Sequence, residues 1–271
     1  MDGVWPGDER PVVGIVDRET AANPIAEPSD GTLESILDAY DATAVRGDLE
    51  TVLAADPSLL IAAGETDLSA IARVGTGVPV LAVGDVPGID TVDRDRVPTA
   101  LETILERDAD IRNYPILGLE IDADRADADG TCERALFDVT LVADEPARIS
   151  EYSVASRGES VATFRADGVV AATPAGSHGY ASALDAPQLS PAVDAVAVAP
   201  IAPFVTDTRR WVLPDDTLTL TVERNECDVT VVADETPVET VSIGSHVTVS
   251  VVDTLATLVR SDRRGSSGAD L

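Results

Sequence analysis

Two stretches of this chain bring together residue types whose spacing could do chemistry. The first is Asp167-Gly168-Val169-Val170-Ala171-Ala172-Thr173-Pro174-Ala175-Gly176-Ser177-His178-Gly179-Tyr180. It reads as a strand from Val169 to Ala172, a tight turn built on Pro174 and Gly176, and a helix start near Tyr180, with Ser177 as a candidate cap. Such a junction points backbone N–H groups at a ligand, and an anion suits them. The second is the apolar run Ser58 to Ala63, which stops at Gly64-Glu65-Thr66-Asp67 before a helix over Leu68 to Val74. It sets two carboxylates and a hydroxyl at the carboxyl end of a strand, where α/β folds hold their ligands.

The elements that must position these residues follow from periodicity. Val12 to Asp17 is a short apolar run closed by a polar residue, a buried strand. A loop rich in Ala, Pro and acid runs to about Asp30. Leu33, Ile36, Leu37 and Tyr40 then follow the i, i+3, i+4, i+7 pattern of an amphipathic helix over Gly31 to Tyr40, which Ser29 or Asp30 could cap. Ala42 to Arg46 reads as a strand, Leu49 to Ala55 as a helix, Gly77 to Gly84 as a strand and Val97 to Arg107 as a helix. Alternating strand and helix predicts a parallel sheet flanked by helices.

Near Asn113-Tyr114-Pro115 the pattern changes. Leu117 to Asp122, Ala135 to Val142, Leu218 to Val222, Asp228 to Val232 and His246 to Val251 are short, rich in Thr and Val, and alternate with period 2, the signature of a β-sandwich. The expected division is residues 1–115 as the α/β domain, 116–260 as the β-sandwich and 261–271 as a polar, disordered tail. Trp211 to Pro214 reads as core and His246 as surface. Cys132 and Cys227 are far apart, without metal-ligand spacing, and read as two small buried side chains.

Composition limits the partners. The chain has 271 residues, 49 acidic against 19 basic, and a formal charge of -30; every basic residue is Arg. Self-repulsion at this charge weakens a compact state at low salt and is screened within a few ångströms at molar salt. A halophilic, salt-rich cytoplasm is therefore expected. The field repels phosphate backbones and anionic lipid, which argues against nucleic acid and membrane partners. Met1 to Pro6 has neither a basic segment nor an apolar run, so no secretory signal is expected, and no window reaches the length of a membrane span.

The order of these segments resembles the NAD kinase family. The residues carrying the resemblance are Asp167-Gly168, Thr173 to Tyr180, Ala186-Pro187, Ser190-Pro191-Ala192-Val193-Asp194-Ala195 and Pro200-Ile201-Ala202-Pro203, with the α/β half matched mainly by pattern. The resemblance implies an N-terminal Rossmann-like parallel α/β domain followed by a β-sandwich domain that binds NAD. ATP and NAD would lie between the two domains, Mg²⁺ would neutralise the triphosphate, and the product would be NADP. It also implies a homo-oligomer, a dimer or tetramer.

In that family a Gly-Gly-Asp-Gly-Thr motif contacts phosphate and places an Asp near the adenosine 2′-hydroxyl. The run here looks like Ala63-Gly64-Glu65-Thr66-Asp67, a degraded version in which Glu65 keeps the catalytic carboxylate and Thr66 replaces a Gly. Gly64, Thr66 and Asp67 would contact the substrates. The family's Asn-Glu motif appears as Phe137-Asp138, where Asp138 can accept from a ribose hydroxyl and Phe137 could stack on a base. Asp167 and Tyr180 stand where the family holds the nicotinamide and adenine parts. His178 and Gly179 replace a Thr and an Ala, and Asp234-Glu235 resembles a later Asp-Gly step. Thr173, Ala175, Gly176, Ser177, His178 and Ala202 complete the implied nucleotide-binding set. Two other readings stand beside the kinase: a paralogue that binds NAD(P) or another nucleotide as a sensor, and a structural subunit that pairs with an active kinase.

Overall fold

Short β-branched runs alternating with amphipathic stretches build the first half of the chain, and period-2 runs build the second. The computed structural model describes residues 10–17, 32–122, 132–145, 148–205 and 209–260. Its elements run β1 (Val12–Val16), α1 (Thr32–Ala39), β2 (Thr43–Gly47), α2 (Leu49–Leu53), β3 (Leu59–Ala63), α3 (Gly64–Val74), β4 (Val80–Val83), α4 (Val97–Leu105) and β5 (Ala109–Asp122). They continue as β6 (Cys132–Ala135), β7 (Asp138–Ala143), β8 (Ser150–Ser156), β9 (Glu159–Ala166), β10 (Gly168–Ala172) and α5 (Tyr180–Ala183). The last are β11 (Ala195–Ile201), β12 (Trp211–Pro214), β13 (Leu218–Arg224), β14 (Val229–Ala233), β15 (Thr236–Val241) and β16 (His246–Arg260). Two compact units result. The first holds Met1–Ile71, Thr76–Asn113 and Leu255–Leu271, and the second holds Ala72–Gly75 and Tyr114–Thr254.

In the first unit β1 pairs in parallel with β2 and β3, and β3 pairs in parallel with β4. Leu59, Leu60, Ile61 and Ala62 are fully buried, as strands covered on both faces require. Leu33 and Leu37 of α1 and Val97, Leu101, Ile104 and Leu105 of α4 close a core with Val13, Ile15, Leu59 and Ile61. Asp48 caps α2, its Oδ1 accepting from Thr51 N at 2.8 Å, the role its type serves best before a first turn.

In the second unit an antiparallel sheet in the order β12-β11-β10-β7-β14-β15 forms one layer. β13 joins β8 and the first half of β16, and β8 joins β9, in the other. Val139, Leu141, Val169, Ala171 and Val231 from the first layer interdigitate with Tyr152, Val154, Leu220 and Val247 from the second. Alternate burial along β8 shows one face in the core and one in water. The fold is thus a parallel α/β unit and a β-sandwich unit.

Several expectations are corrected. β16 is one long strand whose end belongs to the first unit, Thr257 pairing in parallel with Val80, so the boundary near 115 is crossed again late in the chain. The run Ala135 to Val142 is two strands, because Leu136 and Phe137 bend out of register between β6 and β7. Trp211 to Pro214 is a half-buried edge strand rather than core. Val212 is exposed, while Trp211 and Leu213 turn inward against the core, Trp211 stacking on Phe164 at 5.7 Å between ring centroids. Cys227 is half-buried. Met1 to Pro6, the loop to Asp30 with the caps Ser29 and Asp30, the 261–271 tail and the side chain of Cys132 lie outside the described residues.

Candidate functional site

The sandwich places one candidate group where β10 ends. Thr173 follows β10 and is fully buried; its N–H donates to Phe137 O at 2.8 Å, and its Oγ1 donates to Leu136 O at 2.7 Å. The same Oγ1 accepts from Gly176 N at 3.1 Å. Gly176 is required here, since a Cβ would lie 1.9 Å from Phe137 O. Ser177, also fully buried, donates to Pro174 O at 2.7 Å and accepts from Leu189 N at 2.8 Å. It is a cross-brace rather than the expected cap, because α5 begins three residues later with Gly179 in the cap position. Thr173, Ala175, Gly176 and Ser177 are therefore sealed in protein, and what they supply is the shape of the loop.

The groups that reach the surface are Asp138, His178 and Tyr180. Asp138 opens β7, sits directly across from Ala172 in the ladder, and is half-buried. Its Oδ1 accepts from Thr140 Oγ1 at 3.0 Å, which fixes the carboxylate on the sheet face. Tyr180 is 49% exposed. Partial burial, and then the charge of Asp138, push its phenol up. His178 Nε2 donates to the carbonyl of Leu189 at 3.1 Å, which fixes that nitrogen as the N–H. Phe137, expected to stack on a base, is only 8% exposed, its backbone tied down on both sides, so little of its ring is open to a ligand. The half-buried acceptor Asp138, at the start of β7, and the exposed ring of Tyr180, which follows the loop, are near enough for the carboxylate to act on the phenol.

Asp167 and Ala202 lie elsewhere. Asp167 precedes β10 at the opposite end from Thr173, roughly 20 Å along an extended strand at about 3.3 Å per residue. Its N–H donates to Ile201 O at 2.9 Å and its carbonyl accepts from Tyr152 OH at 3.3 Å. Ala202 follows with φ of 44°, a conformation that a side chain disfavours. The Asp167 to Tyr180 stretch is thus not one junction but two ends of one strand.

In the first unit the expected turn Gly64 to Asp67 is already helix. Gly64 takes φ of 76°, which swings the chain from β3 straight into α3 without a loop, and only a Gly does this without strain. Glu65 and Thr66 are exposed and Asp67 is 8% exposed, all in the first turn of an eleven-residue helix. Acids here suit the helix dipole, and the first-turn N–H groups lack intrahelical acceptors.

Asp234 belongs with the Asp138 group, although the sequence marks it only as a look-alike of the Asp-Gly step. Its carboxylate accepts from the N–H of Leu136 and Phe137 at 2.7 Å and of Asp138 at 3.1 Å. The available signal was a two-residue gap, Asp234-Glu235, between two alternating strands. A cavity of about 450 Å³ in the first unit is lined by residues such as Leu81, Arg96, Thr103 and Leu258, none of which is a sequence candidate. Among the described residues no three His, Cys, Asp or Glu side chains converge as a metal cage would, and no helix is long and apolar enough to cross a membrane.

Residues 136–261 match the family model for the ATP-NAD kinase C-terminal domain, the segment holding Asp138, the Thr173 loop and Asp234. The NAD kinase of Acidobacterium capsulatum is 34% identical over 199 residues, covering 66% of this chain and 68% of that protein. The NAD kinase of Methanosarcina barkeri is 36% identical over 102 residues, covering 36% of this chain and 37% of its own length. In fold the chain is similar to yeast NADH kinase complexed with NADH, with a TM-score of 0.77, 15% identity, and coverage of 98% of this chain and 90% of that one. It is likewise similar to an NAD kinase from Archaeoglobus fulgidus in complex with ATP, with a TM-score of 0.70, 18% identity, and coverage of 94% and 95%. With a relative 34% identical that this chain covers to 68% of its length, and a family model matching residues 136–261, the chain belongs to the NAD kinase family.

Proposed function

We propose that this protein transfers the γ-phosphoryl group of ATP to the adenosine 2′-hydroxyl of NAD, giving NADP and ADP. The observation that carries the reading is the Asp138 carboxylate, held by Thr140 at the start of β7, acting on the Tyr180 phenol, which follows a loop whose other members are locked. A fixed acceptor next to an exposed ring suits a nucleoside, the carboxylate taking ribose hydroxyl hydrogens and the ring lying on the base. Glu65, exposed in the first turn of α3, is the base that takes the hydroxyl proton as the ribose oxygen bonds to phosphorus and the bond to the ADP oxygen breaks. The first-turn N–H groups of α3 receive phosphate oxygens. Mg²⁺ would neutralise the triphosphate, and Asp67 is the first-turn carboxylate that would help to hold it beside the phosphate oxygens. The reaction belongs in a salt-rich cytoplasm, where the charge of -30 is screened.

A second reading rests on Thr66, which stands where the family has a Gly: a paralogue that binds NAD(P) without turning it over. We further propose a homo-oligomer, supported by the apolar exposure of Phe204, Val205 and Val212 at 65%, 60% and 49%, which light scattering tests. Purified protein in molar KCl with ATP and NAD is expected to form NADP. No turnover above blank with ATP, other nucleoside triphosphates or polyphosphate, together with calorimetric binding of NAD, would hand the protein to the second reading.

A further inference from the structure

The bend at Leu136, Phe137 and Asp138 is held from two sides by two side chains. Its carbonyls are held by Thr173, whose Oγ1 donates to Leu136 O and whose N–H donates to Phe137 O. Its N–H groups are held by the buried carboxylate of Asp234: Oδ2 accepts from Leu136 N, and Oδ1 accepts from both Phe137 N and Asp138 N. Asp234 N in turn donates to Asp138 O at 3.1 Å. One carboxylate thus satisfies three consecutive donors that the bend takes out of the β-ladder, and buried donors without partners are costly.

The turn that presents this carboxylate is itself constrained. Asp234 and Glu235 take φ of 46° and 65°, the geometry of a two-residue hairpin turn that normally uses Asn-Gly. A Glu at the Gly position is disfavoured, so the surroundings must hold the turn. Arg73 supplies one hold: its Nη2 donates to Thr236 Oγ1 at 3.2 Å and reaches Ala233 O at 3.5 Å, on either side of the turn.

We propose that Asp234 is a positioning residue for nucleotide recognition, acting through the backbone of residues 136–138 to aim the Asp138 carboxylate and to level the bed on which Gly176 rests. Gly176 lies against Phe137 O, so a shift of the bend moves both the acceptor and the loop that carries Tyr180. Misplacement of a binding group by an ångström carries large kinetic consequences, which makes a buried residue a determinant of affinity through the groups it places. The inference deepens the proposed function and rests on it for its substrate.

The test uses the full chain with Asp234→Asn, Asp138→Asn and the double variant, with thermal midpoints recorded for each. Asp234→Asn keeps one acceptor oxygen and turns an amide N–H₂ toward a backbone donor. It is expected to raise KM for NAD by roughly tenfold or more while KM for ATP stays within about twofold. In the Asp138→Asn background the same change should have little further effect on NAD, because its route is already cut. Additive losses in the double variant, or equal losses for NAD and ATP, would overturn the proposal. If the wild-type protein neither binds nor phosphorylates NAD, the functional reading fails and the positioning claim is still decided by the titration of Tyr180. Asp138→Asn and Asp234→Asn should then lower that phenol's midpoint together, whereas a wild-type midpoint in Asp234→Asn would refute the claim.

Discussion

The Thr173 loop and the Gly64 turn both end a fully apolar strand, yet they are equipped in opposite ways. The Thr173 loop is over-determined: Thr173, Gly176 and Ser177 are buried, and hydrogen bonds to Leu136, Phe137, Pro174 and Leu189 leave its backbone one shape. The Gly64 turn is spare, one glycine at positive φ followed by exposed Glu65 and Thr66 on a helix start. The first is built as a rigid seat, where accuracy comes from sealed side chains. The second presents its chemistry on side chains such as Glu65 and Thr66 that lie outside the core, so their replacement removes little packing.

If that contrast is right, Glu65→Gln gives the largest effect on function and almost none on folding. Its kcat should fall by about 10²–10⁴, the range for losing a general base, with the thermal midpoint unchanged. A midpoint that falls along with kcat would mean that the turn is structural after all.

Gly176→Ala should behave in the opposite sense. Its methyl would drive into Phe137 O, backbone that has no room to yield, so stability should fall by about 1–3 kcal/mol or more and NAD affinity with it. An unaltered denaturation midpoint would show the loop to be softer than its hydrogen bonds suggest.

The far end of β10 sharpens the comparison further. Burial pushes the Tyr152 phenol up to about 12, with the charges of Cys227 and Asp167 adding to it. A folded value above the unfolded one of about 10 favours the protonated phenol, so this stability is complete below pH ~10 and is lost as pH rises toward 12. Tyr152→Phe should flatten the alkaline limb of the stability curve and leave Asp138 and Tyr180 untouched. A change in NAD affinity through the Asp138 end would instead show that the two ends of the strand are coupled.

The fold was legible in the sequence because its signals are local: the apolar run Leu59 to Ala62, the helical spacing of Leu33 and Leu37, and the period-2 runs of β13, β14 and β16. What was hidden depends on contacts between distant residues. That Ser177 braces Leu189 rather than capping α5 is invisible in a row of letters, since both uses suit a Ser. The break at Leu136 and Phe137 was hidden because both are apolar and continue an alternating pattern. Only the carboxylate of Asp234, about a hundred residues away, pulls their N–H groups out of the ladder. Asp167 was grouped with Tyr180 because it is near in sequence, whereas a five-residue strand carries it to the other end of the sheet. Motif spacing singles out Asp138 and Tyr180, which the structure leaves half-buried and exposed, whereas the bracing roles of the buried Thr173, Ser177 and Asp234 have no signal in the letters themselves.

The central claim is that the Asp138 and Tyr180 pair is the seat of the dinucleotide, and calorimetric titration of NAD into the wild-type protein and Tyr180→Ala in molar KCl tests it most directly. Losing a base-stacking ring that is half exposed should weaken NAD binding by roughly tenfold, about 1–1.5 kcal/mol, with the thermal midpoint of the free protein unchanged. Equal affinity for NAD in the two proteins would contradict the account.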